Sequence, residues 1–168
     1  MGQIKDLFFE NPTKEFHIRG ISRMLKIPKT TVSYYVNKLL KQRLIVKDKE
    51  GVFPSFKANE TSEVYRFYKR QESLKKIIEC GLVDYLDSEI NPRCIILFGS
   101  FAKAEYDKNS DIDIFVQARE LDVDLSKFEK RLKHKINLFF EPEINKLSNE
   151  LLNNIVNGVK LGGFLKIR

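Results

Sequence analysis

The stretch LFGSFAKAEYDKNSDIDIFV, Leu97 to Val116, joins a Gly-Ser step to two aspartates separated by one isoleucine. In an extended strand residues two apart project to the same side, so Asp111 and Asp113 point together while Ile112 and Ile114 face the core. Two convergent carboxylates repel unless something neutralises them. A hard divalent cation can be held by both and still leave sites for phosphate oxygens and water, and magnesium is the natural candidate. Gly99 and Ser100 follow the apolar run CIILF. A glycine there lets backbone approach a ligand closely, and Ser100, with the N–H groups of a helix start, can hydrogen-bond phosphate. Taken singly, an Asp-x-Asp on an edge strand is common solvent decoration and Gly-Ser is an ordinary strand-to-helix turn. Their order between two buried strands is what points to phosphate and metal chemistry.

Outward from this stretch, the chain alternates strands and helices. CIILF reads as a buried strand, DIDIFV as a second, Leu125 to Leu132 as a helix and KINLFF as a third strand. Ser148 is positioned to cap a helix running through Val156, Gly158 follows its end, and GFLKI is expected to return as a last strand. Upstream, residues 61 to 90 carry one long helical pattern that Gly81 loosens or bends. Before residue 60 the pattern changes. Ile18, Ile21 and Leu25 recur at helical spacing, KIPKT interrupts, and Thr30 is placed to cap a helix running to about Gln42. Val32, Val36, Leu39 and Leu40 form its apolar stripe, opposite Thr30, Tyr34, Asn37, Lys38 and Lys41. LIVKD, the turn KEG and VFPSFK then read as two strands joined by a glycine-containing loop. The expected class is α+β, with two domains, 1–59 and 60–168.

Composition bounds the partners. The chain has 168 residues, 42% hydrophobic and 32% charged, with a formal charge of +7. Twelve Lys and Arg stand against six Asp and Glu in residues 1–60, and eighteen against seventeen in the remainder, so the basicity belongs to the N-terminal third. That asymmetry fits a polyanion-binding module beside a near-neutral one, although a solvated lysine-rich surface gives the same sum. Cys80 and Cys94 fit no zinc spacing or redox pair, and with only His17 and His134 beside them they read as packing thiols. The N-terminus lacks a signal-peptide apolar run, and Asp6 stands where a myristoylation site needs Ser or Thr. A soluble, cytoplasmic protein without a membrane partner is expected.

The segment GSFAKAEYDKNSDIDIFV resembles the Gly-Ser and Asp-x-Asp signature of the DNA polymerase beta-like nucleotidyltransferase superfamily, in particular its minimal nucleotidyltransferase branch, over about residues 90–141. The resemblance implies a nucleotidyltransferase-like α/β domain with a small mixed sheet, with the helix of 61–90 packing on it or linking to it. It implies nucleotide contacts from Gly99, Ser100, Lys103 and Ser110, and Mg2+ on Asp111 and Asp113. An acceptor hydroxyl would attack the α-phosphate of an NTP, ATP first among them, and expel pyrophosphate. Two departures stand out. Lys103 and Ala104 replace the Arg-Gly pair common in the family, keeping charge but losing a bidentate grip and backbone freedom. Asn137 stands where the family places a third carboxylate, completing a catalytic set of Asp111, Asp113 and Asn137. An amide can ligate metal through its oxygen but cannot act as a base. Glu141 shares strand parity with Asn137, yet four residues along an extended strand displace it by about 13 Å.

The stretch HIRGISRMLKIPKTTVSYYVNKLLKQRLIVKDKEGVFPSF resembles winged helix-turn-helix DNA-binding domains, over about residues 3–58. By that resemblance its second helix enters the major groove, placing Lys29, Thr30, Thr31, Ser33, Tyr34 and Lys38 near DNA, with Lys47, Lys49 and Lys57 near phosphate at the wing. Three functions follow as expectations. The first is a Mg2+-dependent nucleotidyltransferase with a DNA-binding module, a homodimer if it reads paired half-sites. The second is a DNA-binding regulator whose nucleotide-binding domain has lost transfer. The third, from family resemblance alone, is an antitoxin of the minimal nucleotidyltransferase type with a HEPN-type partner.

Overall fold

The computed structural model describes residues 2–48 and 53–166. The chain packs as two units, Met1–Lys69 and Arg70–Arg168. In the first, helices α1 (Gly2–Glu10), α2 (Ile18–Leu25) and α3 (Lys29–Lys41) precede strands β1 (Ile45–Asp48) and β2 (Ser55–Ala58), which pair antiparallel with Ile45 opposite Ala58. Phe16 adds a bridge to Phe56. The helices bury the residues that recur one turn apart: Ile4 and Phe8 on α1, Ile21 on α2, and Val32, Val36 and Leu39 on α3. These pack with Phe9, Phe16, Ile45, Phe56 and Tyr65 into one cluster.

Thr30 does not cap α3. The helix starts at Lys29 behind Pro28, whose φ of −55° and ψ of 141° set the entry without a side-chain cap. The preceding turn closes through the left-handed Lys26 and a Ser22 hydroxyl bond to the Ile27 carbonyl at 2.7 Å. The expected KEG turn lies outside the described residues.

Helix α4 (Glu63–Glu79) contains the division between the units, which falls after Lys69 rather than at 59/60. The reason is Tyr65, which joins the N-terminal core with its ring edge-on to Phe9 at 5.4 Å. The long pattern over 61–90 is two helices, because Gly81 adopts φ +82° between α4 and α5 (Leu82–Ile90). There a left-handed residue ends one helix and starts the next.

In the second unit, β3 (Cys94–Phe98) leads into the short helix α6 (Gly99–Lys103). Strand β4 (Ile112–Val116), α7 (Ser126–Leu132), β5 (Ile136–Phe140), α8 (Asn149–Val156) and β6 (Val159–Gly163) follow. The four strands form one mixed sheet in the order β5-β4-β3-β6, with β4 and β5 parallel and the other pairs antiparallel. Every residue of β3 is buried, as a central strand covered on both faces requires. One face carries Ile95, Leu97, Ile112, Ile114 and Val116 against Ile77, Leu82, Leu86 and Phe128. The other carries Cys94, Ile96, Phe98 and Phe115 against Ile155.

Ser148 caps α8, accepting the Leu151 N–H at 3.2 Å. The last strand, however, is Val159–Gly163 and not GFLKI. It pairs Leu97 with Val159 and Cys94 with Gly163. Gly158, packed against the Leu97 carbonyl, begins the return, and Gly163 at φ +69° beside the Arg93 carbonyl ends it. Among the described residues no helix is long and apolar enough to cross a membrane.

Candidate functional site

The parallel ladder between β4 and β5 sets Ile112 opposite Ile136 and Asp113 opposite Asn137. The antiparallel ladder sets Phe98 opposite Asp113. Asp113 therefore lies between the end of β3 and the start of β5, and the chain leaving β3 turns at Gly99 beside it. Gly99 has φ +70°, and a Cβ on it would lie 2.5 Å from Asp113 Oδ2. Both the conformation and the space demand glycine.

Asp111 precedes the first residue of β4, so strand parity alone does not aim it. Asn137 brings the two carboxylates to one point: its Nδ2 donates to Asp113 Oδ1 at 3.1 Å and to Asp111 Oδ2 at 3.3 Å. Asp113 is half-buried, and Asp111 and Asn137 are exposed. Among the described residues neither aspartate has an ion-pair partner, so one neutral amide is what bridges two like charges. No three His, Cys, Asp or Glu side chains gather as a metal-binding group among the described residues, since the third member here is an amide. The set still fits a hard cation. Turned about its last side-chain bond, Asn137 presents oxygen in place of nitrogen, and the three groups become an all-oxygen donor set of the kind Mg2+ takes.

The other expected contacts divide. Ser100 is half-buried in the first turn of α6, and Lys103 is exposed in its last turn. Ala104 closes that helix at φ +61°, the left-handed conformation in which glycine would be unstrained. Ser110 is employed locally: its hydroxyl accepts the Asp107 N–H at 2.9 Å and bonds Asp107 Oδ1 at 3.3 Å, closing the turn before Asp111. Glu141 is not brought to the site. It follows Phe140, which pairs with Val116 at the far end of the ladder from Asn137, and its carboxylate accepts the Glu143 N–H at 2.9 Å.

Two supporting groups escaped the sequence reading. His134 is 8% exposed and its Nδ1 lies 2.7 Å from the Ser110 carbonyl. A carbonyl only accepts, so Nδ1 carries the proton. The ring stands edge-on to Phe101 at 5.0 Å, and Phe101 stacks on Tyr106 at 4.1 Å. This cluster props the residue before Asp111. Glu129 accepts the Ile136 N–H at 3.0 Å at the start of β5, one residue before Asn137. That bond, then the adjacent Lys135 against an opposing desolvation, holds its carboxyl below the usual range. Neither contact has a signal in the sequence, because each joins residues that are distant or offset in the chain.

In the N-terminal unit Lys29, Thr30, Tyr34 and Lys38 are exposed on α3, and Thr31 and Ser33 are half-buried at its flanks. Tyr34 is 64% exposed and stands edge-on to Tyr35 at 5.2 Å. Lys47 is exposed on β1, Lys57 is half-buried on β2, and Lys49 lies outside the described residues. Beside α3 an open cavity of about 450 Å³ is lined by His17, Arg19, Arg23, Lys29, Phe53 and Pro54. Arg19 and Arg23 add cations that the helical pattern alone did not single out, because their juxtaposition with Lys29 depends on how α2 and α3 pack.

No curated protein sequence matches the chain. A crystal structure described as a toxin-antitoxin with AMP-PNP is 26% identical, over 54% of this chain and 73% of that one, with a TM-score of 0.38. Residues 81–161, which include Gly99, Ser100, Asp111, Asp113 and Asn137, match the model of the family described as polymerase beta, nucleotidyltransferase.

Proposed function

We propose that the C-terminal unit is a Mg2+-dependent nucleotidyltransferase that moves an NMP from an NTP, ATP first among them, to a hydroxyl acceptor, and that the N-terminal unit is a winged helix-turn-helix that binds DNA. One observation carries the catalytic part: the carboxylates of Asp111 and Asp113 converge on Asn137 beside the glycine turn at Gly99. In this reading the two aspartates and the Asn137 amide oxygen hold the metal. Gly99 leaves room for a phosphate against Asp113, Ser100 donates its hydroxyl to a phosphate oxygen, and Lys103 adds positive charge. Bound Mg2+ supplies charge neutralisation at the phosphates. The acceptor oxygen bonds to the α-phosphorus, the bond from that phosphorus to the bridging oxygen breaks, and pyrophosphate leaves. Asn137 cannot take the acceptor's proton, so that proton goes to an aspartate carboxylate of the site or to water.

The same amide favours a second reading, a DNA-binding regulator that binds nucleotide without transferring it. Asn137 already satisfies both carboxylates by donation, so metal entry costs two hydrogen bonds. Incubation with Mg2+ and labelled ATP, read by calorimetry for binding and by pyrophosphate release for transfer, separates the two. Transfer that disappears in Asp111→Asn/Asp113→Asn supports the enzyme. Binding without release, converted to release by Asn137→Asp, supports the regulator, and no nucleotide binding at all overturns both. The exposed face of α3 and the Arg19, Arg23 and Lys29 cavity support the DNA reading, which expects salt-sensitive binding weakened by Lys38→Ala. A HEPN-type protein partner rests on family resemblance, and co-purification with such a protein tests it.

A further inference from the structure

The sheet of the C-terminal unit is covered unequally on its two faces. Ile136, Leu138 and Phe140 of β5 pack on the side of Ile77, Leu86 and Phe128. On the other side Ile155 of α8 packs with Cys94, Ile96 and Phe98 of β3 and Phe115 of β4, and the edge strand β5 presents Asn137 and Phe139 exposed. Alternation puts these two on the same side as Asp113, and the ladder sets Phe115 opposite Phe139 just as it sets Asp113 opposite Asn137. Phe139 therefore follows Asn137 along this face at roughly 7 Å. Its ring, 40% exposed, lies T-shaped against the buried ring of Phe98 at 5.2 Å. Phe98 pairs with Asp113 and immediately precedes Gly99, so Phe139 leans diagonally across β4 toward the glycine turn. A half-exposed phenylalanine on an edge strand is ordinary. One that flanks two carboxylates and reaches the residue before their glycine is a wall of the site.

The groups on the two sides of the carboxylates differ in kind. Toward α6 stand the Ser100 hydroxyl and the Lys103 ammonium. Along β5 stands one apolar ring. A nucleoside triphosphate has the same polarity, anionic at one end and planar at the other, with the α-phosphate and the ribose between. We infer that Phe139 is the platform for the nucleotide's base: the base stacks on the exposed side of the ring while the triphosphate runs past Asp111 and Asp113 toward Ser100 and Lys103. This assignment rests on the nucleotide reading of the site and adds to it the group that holds the nucleoside end. Every base has a π-face, so such a platform strengthens binding by roughly tenfold without reading base identity.

Calorimetry with Mg2+ and two probes, ATP and inorganic tripolyphosphate, tests it. Tripolyphosphate keeps the phosphates and lacks the base. In Phe139→Ala the affinity for ATP is expected to fall about tenfold, and the affinity for tripolyphosphate to stay at the wild-type value. The chain has no tryptophan, so Phe139→Trp places a single fluorophore in the platform. ATP is expected to quench it, and tripolyphosphate to leave it unchanged. A purely structural role for Phe139, as a support for Phe98, would lower the affinity for both probes alike, and that result overturns the inference. So does a Phe139→Ala chain that binds ATP as the wild type does, or a Phe139→Trp chain that binds ATP by calorimetry with no change in fluorescence. Binding of neither probe by the wild type overturns the nucleotide reading itself, and the platform with it.

Discussion

The two units carry their candidate functions in opposite ways. In the C-terminal unit the carboxylates of Asp111 and Asp113 meet within hydrogen-bond distance of the Asn137 amide nitrogen, and the register between β4 and β5 sets Asp113 opposite Asn137. In the N-terminal unit the candidate groups are spread along one exposed helix face and around an open cavity. A site made by register is intolerant of small changes, because moving one Cβ displaces a carboxylate. A site made by a charged surface is graded, because each cation contributes its own increment.

The sharpest way to break this contrast is Asp111→Asn/Asp113→Asn. It is expected to abolish Mg2+-dependent nucleotide binding, leave DNA affinity unchanged and leave thermal stability unchanged or higher, since it removes a like-charge pair. A parallel loss of DNA binding would show that the units do not act separately. Gly99→Ala comes next. It forces a side chain into the left-handed region and onto Asp113 Oδ2, costing about 2 kcal/mol of stability, and nucleotide affinity measured by calorimetry falls with it. Arg19→Ala and Arg23→Ala are expected to weaken DNA binding gradually, each lowering the slope of log affinity against log salt by about one.

The smallest effect is at Glu129. Its carboxyl is held below the usual range chiefly by the Ile136 N–H, so its contribution to stability is full above the unfolded-state pKa and is lost as pH falls through the folded one. Glu129→Gln should therefore flatten the acid limb of stability against pH, and melting curves across that limb show whether it does. Because Ile136 precedes Asn137 in β5, the same variant reports whether the start of that strand tunes the site.

Where the sequence reading succeeded, the reason was local periodicity. Alternation placed Ile112 and Ile114 inward, the run CIILF made a central strand, and Ser148 marked a helix start. It misplaced the last strand because Val159–Gly163 is chosen by its partners on β3. The start of α3 was decided locally, since Pro28 presets the entry ahead of Thr30. The Ser110 hydroxyl is drawn into the turn before Asp111, accepting from and donating to Asp107.

By itself, the sequence determined that two carboxylates and a glycine turn lie between buried strands, because spacing of two and apolar runs are properties of neighbouring residues. Only the tertiary structure decided that the Asn137 amide bonds both carboxylates and that His134 props the segment before Asp111. Those outcomes follow from the register between β4 and β5 and from packing across more than twenty residues of chain. No local pattern encodes them, because the energy that selects a register is summed over both strands and everything that covers them.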